Sequence, residues 1–390
     1  MKASLQHVFK SLKLYIPDLW SARAHSASFR NTRSAYLRSR ITMLSSVWGV
    51  LVILWLPFDL MFLAQPTHLH IAGSRLLLGS LLLSIAWMNH KHTTLKRAQW
   101  YMGLMVASIN LFYLYTAWAL DFPTVYSGFV FGYTLLPIIH VAILTILPVT
   151  LKESLCMLAV TAMTQLLVDY LSGHLFSPEN IASYWLQNVL ALMVIWSQLS
   201  KLHMLMRLYR QATLDPLTGV YNRRMLLQLA DKHLASCIQR GQPFSIMLFD
   251  IDRFKRINDA WGHGVGDKVL KEFTDFMQQH IRKTDLFGRF GGEEFILFLP
   301  KCGSCDAERI AERMLSRIRA LEVDTGIDST SISFTTSIGI SSYGANDSLS
   351  TLIERADRAL YDCKDAGRDC SRYHPIDYTP ILSERRRAIA

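Results

Sequence analysis

Up to about residue 200 the chain consists largely of apolar runs as long as a bilayer is thick, which restricts that half to helices able to cross a membrane. With 390 residues, 51% hydrophobic and only 18% charged, the chain is too long and too apolar for one ordinary soluble domain. Windows of about 20 residues place six spans, near 43–64, 70–88, 99–120, 124–147, 151–172 and 183–200. The fourth and fifth are separated only by Pro148, Thr150, Lys152 and Glu153.

Charge placement is a second reading of the same topology. Residues 1–40 carry Lys2, Lys10, Lys13, Arg23, Arg30, Arg33, Arg38 and Arg40 against Asp18 alone. Lys91, Lys96 and Arg97, then Lys152, mark the later even connections, whereas the odd ones lack Lys and Arg. Six spans then put both termini on the cytoplasmic side, and Lys201, Arg207 and Arg210 agree. No small-residue cleavage site precedes the first apolar run, so a cleavable signal peptide is not expected. Leu5, Phe9, Leu12 and Ile16 recur at helical spacing beside Lys10 and Lys13, which offers a basic amphipathic helix on anionic lipid as the alternative to a plain inside anchor.

The net charge of +10 follows from these topology signals and gives no ground for a nucleic-acid partner. The lipid bilayer is the expected partner. Asp59, Arg75, His140 and Asp169 fall inside spans and invite a transporter reading. Most lie near span ends, where they can snorkel, so a sensory or anchoring role is preferred for 43–200, with its stimulus, ligand or regulatory protein left open. Six cysteines, at 156, 237, 302, 305, 363 and 370, are scattered through lipid or reducing cytoplasm, and Cys302-Gly-Ser-Cys305 has no second pair of ligands nearby.

Beyond the last span Leu192, Ile195, Leu199, Leu202, Met206 and Tyr209 continue at alternating intervals of three and four, a heptad seam that Asp215-Pro216 ends. The chain therefore divides into a basic segment 1–42, a membrane domain 43–200, a linker helix 201–214, a catalytic domain 215–375 and a tail 376–390.

In the second half, Gly291-Gly292-Glu293-Glu294-Phe295 sits between two short β-prone runs and reads as a tight hairpin with carboxylates at its mouth. Upstream, Phe244-Ser-Ile-Met-Leu-Phe-Asp250-Ile-Asp252 is a buried-strand pattern that stops in acids. Burying Asp250 there costs several kcal/mol unless it is paired or holds a cation. Asp250 and Glu293 on neighbouring strands supply hard oxygen ligands suited to Mg²⁺ shared with substrate phosphates, and Lys255 is placed to receive those phosphates. Asp252 and Glu294 stand as accessory carboxylates. There is no G-x-x-x-x-G-K-[ST] pattern, so nucleotide handling rests on carboxylates and turn amides.

Residues 213–373 resemble a GGDEF-type diguanylate cyclase domain in its GGEEF form. The series runs Asp215-Pro-Leu-Thr-Gly-Val-Tyr-Asn-Arg-Arg224, Asp250-Ile-Asp-Arg-Phe-Lys-Arg-Ile-Asn258, Trp261-Gly-His-Gly-Val-Gly-Asp267, Arg282-Lys-Thr-Asp285, the hairpin, Thr336-Ser-Ile-Gly-Ile340 and Ala356 to Arg368. The resemblance implies a homodimer, paired through the helical seam, that condenses two GTP into cyclic di-GMP. It implies an α+β, ferredoxin-like, polymerase-palm-like domain after the all-α six-helix membrane domain. Strands are expected near 244–250, 286–290, 294–300 and 331–340, with helices near 265–281, 305–321 and 348–366 on one side of the sheet.

By the same resemblance Asp250, Glu293 and the Ile251 carbonyl hold Mg²⁺ or Mn²⁺, and Arg289 adds charge near the reacting phosphorus. Asn258 and Asp267 read guanine; Phe254, Lys255, His263, Lys364 and Arg368 complete the GTP site. Arg282 and Asp285 form an RxxD product-inhibition site, with Arg313 as a second contact for cyclic di-GMP. The rival expectation is an inactive GGDEF-like module that only binds GTP or cyclic di-GMP.

Overall fold

The computed structural model describes residues 17–23, 25–90, 94–121, 128–326, 330–345 and 347–375; the amphipathic stretch from Leu5 to Ile16 and the tail 376–390 lie outside the described residues. The chain divides into two compact units at Tyr209/Arg210.

The first unit is helical: α1 (Ala27–Leu54), α2 (Leu56–Phe62), α3 (Thr67–Asn89), α4 (Leu95–Ala119), α5 (Phe131–Thr134), α6 (Leu136–Leu144), α7 (Leu151–Leu171) and α8 (Pro178–Thr213). Ser26 caps α1 by accepting from the Phe29 amide at 3.2 Å, and Pro57 in the first turn of α2 ends the α1 ladder. Among the described residues five helical stretches are long and apolar enough to cross a membrane: 28–62, 67–89, 95–119, 151–171 and 178–213. The fourth expected span is different. From Gly128 it is a 3-10 turn followed by two short helices, because Pro137, lacking an N–H, interrupts the ladder at the start of α6. Two boundaries also move: α1 begins at Ala27, inside the segment read as a polar lead-in, and α8 runs without a break through both the last span and the linker.

Leu77, Met163, Trp185, Leu192 and Trp196 face outward, while polar groups lie inside, the arrangement that suits lipid as solvent. The titratable residues of these apolar helices do not reach outward as the sequence suggests. Asp59, Arg75, His140 and Asp169 are all buried. Arg75 pairs with Asp59 and donates to the Tyr133 hydroxyl at 2.9 Å; Tyr133 also bonds Asp59. Asp169 accepts from Tyr184 at 2.8 Å, and His140 lies 3.2 Å from the Asn110 amide. Pairing inside the helices offsets part of the cost of burying these groups. Helices α1 and α3 meet where Gly49 and Gly79 let their backbones approach; a Cβ on either would press against the other's carbonyl. On α8 the lower part of the seam is covered by the chain itself: Leu202 and Met206 are buried with Phe29, whose ring lies 5.2 Å from that of Tyr209.

The second unit runs β1 (Tyr221–Asn222), α9 (Arg223–Gln239), β2 (Phe244–Ile251), α10 (Phe254–Trp261), α11 (His263–His280), β3 (Leu286–Arg289), β4 (Glu294–Pro300), α12 (Ser304–Ile318), β5 (Glu322–Asp324), β6 (Ser331–Ser333), β7 (Thr336–Ser342), α13 (Leu349–Asp365) and β8 (Ser371–Tyr373). Its main sheet has the order β1-β3-β4-β2-β7-β8, antiparallel except for the outer pairs β1/β3 and β7/β8. The run expected as one strand over 331–340 is two: β6 turns away to pair with β5, while β7 joins β2.

Helices cover both faces of this sheet, not one. Ile246 and Leu248 pack with Leu226, Leu234, Leu352 and Ala356 of α9 and α13. Met247, Phe249 and Ile251 pack with Val269, Phe273 and Met314 of α11 and α12. Every residue of β2 is buried, so an uninterrupted apolar run replaces the alternation of a strand with one wet face.

The sheet approaches α13 at Gly339, where a Cβ would overlap the Ala356 carbonyl and the Leu360 amide. Gly339→Ala is expected to cost about 3 kcal/mol of catalytic-unit stability. Thermal melting of the chain checks this, with Gly264→Ala, where a Cβ meets nothing within 4 Å, as the neutral control.

Candidate active site

Pairing of β2 with β4 places Asp250 opposite Glu294, and pairing with β7 places Ser337 on its other flank. The Gly291-Gly292 hairpin closes when the amides of Phe290 and Gly291 both donate to the Glu294 carbonyl, at 2.8 and 3.1 Å. Glu293, just before β4, is tied to the end of β2 because its carbonyl accepts from the Ile251 amide at 3.3 Å. Gly291 has no room for a side chain, since a Cβ would meet the Glu294 carboxylate. Two acidic strand ends are thereby held side by side by backbone pairing.

Asp250 is only 7% exposed. Lys364, reaching from α13, donates to its Oδ2 at 2.7 Å. Burial pushes the Asp250 carboxyl above its usual range despite Lys364 and the more distant Arg368, and the neighbouring Asp252 charge pushes the same way. Glu293 is likewise raised, first by burial and then by the negative charge of Asp250. Two carboxylates that each hold protons too tightly, beside one ammonium, form a site whose charge is incompletely balanced. A divalent cation fits that deficit. Among the described residues no three His, Cys, Asp or Glu side chains gather as a closed protein site. Two carboxylates and the nearby Ile251 carbonyl suit Mg²⁺, which fills its remaining positions with water and phosphate.

Asp252 has another task. Its oxygens accept from Thr335 Oγ1 and Ser337 Oγ, both at 2.7 Å, and from the Asp369 amide at 3.1 Å. It fastens the start of β7 and the turn after α13 to the end of β2. That turn holds Arg368 and Asp369 at positive φ, and Arg319 grips both Asp369 oxygens at 2.9 Å. Arg368 itself is exposed.

Arg289 is also engaged structurally. Its Nη1 donates to both oxygens of Asp215 at 3.1 and 3.3 Å, while Nε and Nη2 donate to the Gly292 carbonyl at 3.1 and 2.6 Å. In this structure the guanidinium braces the hairpin against Asp215. Burial alone would raise Asp215, but donation from the Thr218 hydroxyl and amide and from Arg289 brings its carboxyl below the usual range.

The expected base-reading residues meet between α10 and α11. Asn258 Oδ1 is buried without a hydrogen-bond partner. It lies so close to Gly266 that a Cβ there would collide with it, and Phe254 closes the same corner from below. Gly262 at φ 81° turns the chain between the helices and brings Gly266-Asp267 over Asn258. Asp267, His263 and Lys255 are exposed around this corner. A buried acceptor left unpaired in a cleft marks a position for a donor from outside the chain.

Asp285 folds its carboxylate back onto the Arg282 amide at 2.9 Å, and burial raises its pKa. Arg282 and Arg313 remain exposed. Cys302 of the CxxC pair is buried, and all six cysteines are free.

The family model described as "Diguanylate cyclase, GGDEF domain" matches residues 212–370. This chain carries a GGDEF domain. The chain is 38% identical over 159 residues to the response regulator PleD of Caulobacter vibrioides, an alignment covering 40% of this chain and 35% of PleD. It is 38% identical over 160 residues to the diguanylate cyclase DgcP of Pseudomonas aeruginosa, covering 41% of this chain and 24% of DgcP. The alignments thus span about a third or less of these curated relatives. The crystal structure of the GGDEF domain of DgcB from Caulobacter crescentus in complex with c-di-GMP matches at 27% identity and a TM-score of 0.41, covering 42% of this chain and 96% of that one.

Within the GGDEF domain, sequence reasoning did not foresee the Arg289–Asp215 bridge or the Thr335 and Ser337 hydroxyls on Asp252. Only tertiary pairing reveals them; a strand of small hydroxylated residues beside an acidic strand end was the one available signal.

The raised pKa values of Asp250 and Glu293 carry a sign. Both groups bind protons more tightly folded than unfolded, so stability is fully present below the ordinary carboxylate range near pH 4 and is lost as pH rises through the raised values. Glu293→Gln should therefore melt higher than wild type at pH 7, with the gain vanishing by about pH 4. Adding Mg²⁺ should raise the melting temperature of wild type and leave Glu293→Gln nearly unmoved.

Proposed function

We propose that this chain is a membrane-bound diguanylate cyclase that condenses two GTP into cyclic di-GMP with release of two pyrophosphates. It acts as a Mg²⁺-dependent homodimer with product feedback at Arg282 and Asp285. The observation that carries the reading is the joining of Asp250 and Glu293 at adjoining strand ends, under-neutralised, with Lys364 already on Asp250. The relative DgcP, a diguanylate cyclase by name, supports the same reaction.

Asn258 offers its unpaired Oδ1 to the guanine N–H edge, and Asp267 accepts from the N1 and N2 hydrogens that adenine lacks. Leaving such acceptors unpaired would cost about 1–3 kcal/mol, enough to favour GTP. Lys364, with the exposed Lys255 and Arg368, supplies positive charge for the triphosphate. Mg²⁺ held by Asp250, Glu293 and the Ile251 carbonyl would polarise the phosphoryl oxygens and neutralise charge as pyrophosphate leaves. Each GGDEF domain holds one GTP, so each 3′-hydroxyl must meet the α-phosphorus of the nucleotide in a second chain. Leu202 and Met206 being covered by Phe29, pairing along α8 falls to its open residues, Met204 and Leu208 among them.

The five long apolar helices support a membrane location, and the Lys/Arg asymmetry supports a cytoplasmic catalytic domain, where GTP is found. The exposed Arg282 and Arg313 are placed to fork onto guanine N7 and O6 of bound product.

Cyclic di-GMP production by the purified full chain with GTP and Mg²⁺ tests the reading. Asp250→Asn and Glu293→Gln should each lose roughly a hundredfold or more. Gly266→Ala, which drives Asn258 from its place, should raise the KM for GTP about tenfold with a smaller effect on kcat. Arg282→Ala should raise product accumulation by removing feedback. Intact dimer that releases no pyrophosphate would overturn the proposal.

A further inference from the structure

In the first unit a cleft of about 830 Å³ opens where three helices begin: ahead of α1, and at the first turns of α4 and α7. Arg23, Arg30, Lys96 and Lys152 line it, and Glu153 is the sole acid on its wall. Glu153 does not neutralise those four cations. Its carboxylate is taken by the fully buried Arg33, by Gln99 and, at 2.8 Å, by the Thr150 amide. None of the four has an acidic partner among the described residues, and Arg30 donates only to the His25 carbonyl, at 3.1 Å.

Four like charges around one hollow repel one another, a cost that surface cations normally avoid by spreading out or pairing. Two helix N-termini add positive potential from their dipoles, and the Asn31 side chain adds a neutral hydrogen-bonding group at the rim. We propose that this cleft binds a phosphate-bearing anion of at least two negative charges or two phosphate groups, presented as a phospholipid headgroup or as a soluble phosphate. The two sources share the chemistry that the four cations recognise. The site lies wholly within the first unit and is independent of the catalytic reading.

The test uses the full chain in nanodiscs of phosphatidylcholine, with and without cardiolipin. Lipid retained after transfer to detergent is counted by native mass spectrometry, and inorganic pyrophosphate is titrated calorimetrically into the cardiolipin-free sample. Arg30→Gln/Lys152→Gln is compared with wild type and with Arg97→Gln, an exposed cation off the cleft.

If the headgroup is the occupant, the double variant loses retained cardiolipin roughly tenfold or more while Arg97→Gln keeps it. If a free phosphate is the occupant, cardiolipin retention is equal in all three, and one pyrophosphate site present in wild type and Arg97→Gln is missing from the double variant. Equal binding of both probes by all three proteins overturns the proposal. So does an equal loss in Arg97→Gln, which would mean diffuse surface charge. Arg23→Gln and Lys96→Gln, single changes at exposed positions, give the same comparison should the double variant melt below wild type.

Discussion

The central strand of the GGDEF domain is buried along its whole length, and next to its end, at Asp250, stands a carboxylate. That burial is costly, and much of the local architecture compensates for it. Lys364 reaches across from α13, Arg368 contributes from the following turn, and still the carboxyl titrates above its usual range. The strand register then adds Glu294 opposite and Glu293 beside it, which worsens the imbalance. A fold selected for stability alone would remove one of these acids or supply a second close cation. Retaining the imbalance suits a site that a divalent cation would neutralise.

Holding that arrangement requires rigid surroundings, and three connections provide them. Asp252, two residues beyond Asp250, clamps β7 and the turn after α13. Arg289 fixes the hairpin carbonyl of Gly292 to Asp215 at the entry of the domain. Glycines at 266, 288 and 339 allow backbone and side chains to approach where a Cβ would not fit. None of these groups needs to touch substrate. Each removes a freedom that would otherwise blur the separation of the acidic strand ends.

What could be read in advance follows from how local the signal is. The ends of β2, β3, β4, α11, α12 and α13 were legible because their apolar periodicity and the Gly-Gly turn lie within a few residues of each other. The corner of Asn258, Gly266 and Asp267 was legible only through family resemblance, since an isolated Asn reads as an ordinary helix cap. Helices on both sheet faces were missed although β2 is apolar at six of its eight positions, on both faces, a pattern that by itself calls for cover on both sides. For Arg289, sequence position gives proximity to the hairpin but not the bond to Asp215 that its long side chain makes. In the helical unit, apolar length located the helices, but it could not register how Pro137 breaks the fourth run or that Asp59 and Arg75 find each other across a bend.

The two units handle charge in opposite ways, and that contrast separates structure from function. Within the helical unit Asp59 is matched by Arg75 and Tyr133, Glu153 by Arg33 and Gln99, and buried Asp169 by the Tyr184 hydroxyl. Such pairs fix how the helices pack and leave little for a ligand to add. At the end of β2 the negative charge exceeds its partners, and between α10 and α11 a buried acceptor has none. Buried polarity left short at the end of β2 and at Asn258 is what an incoming ligand can complete.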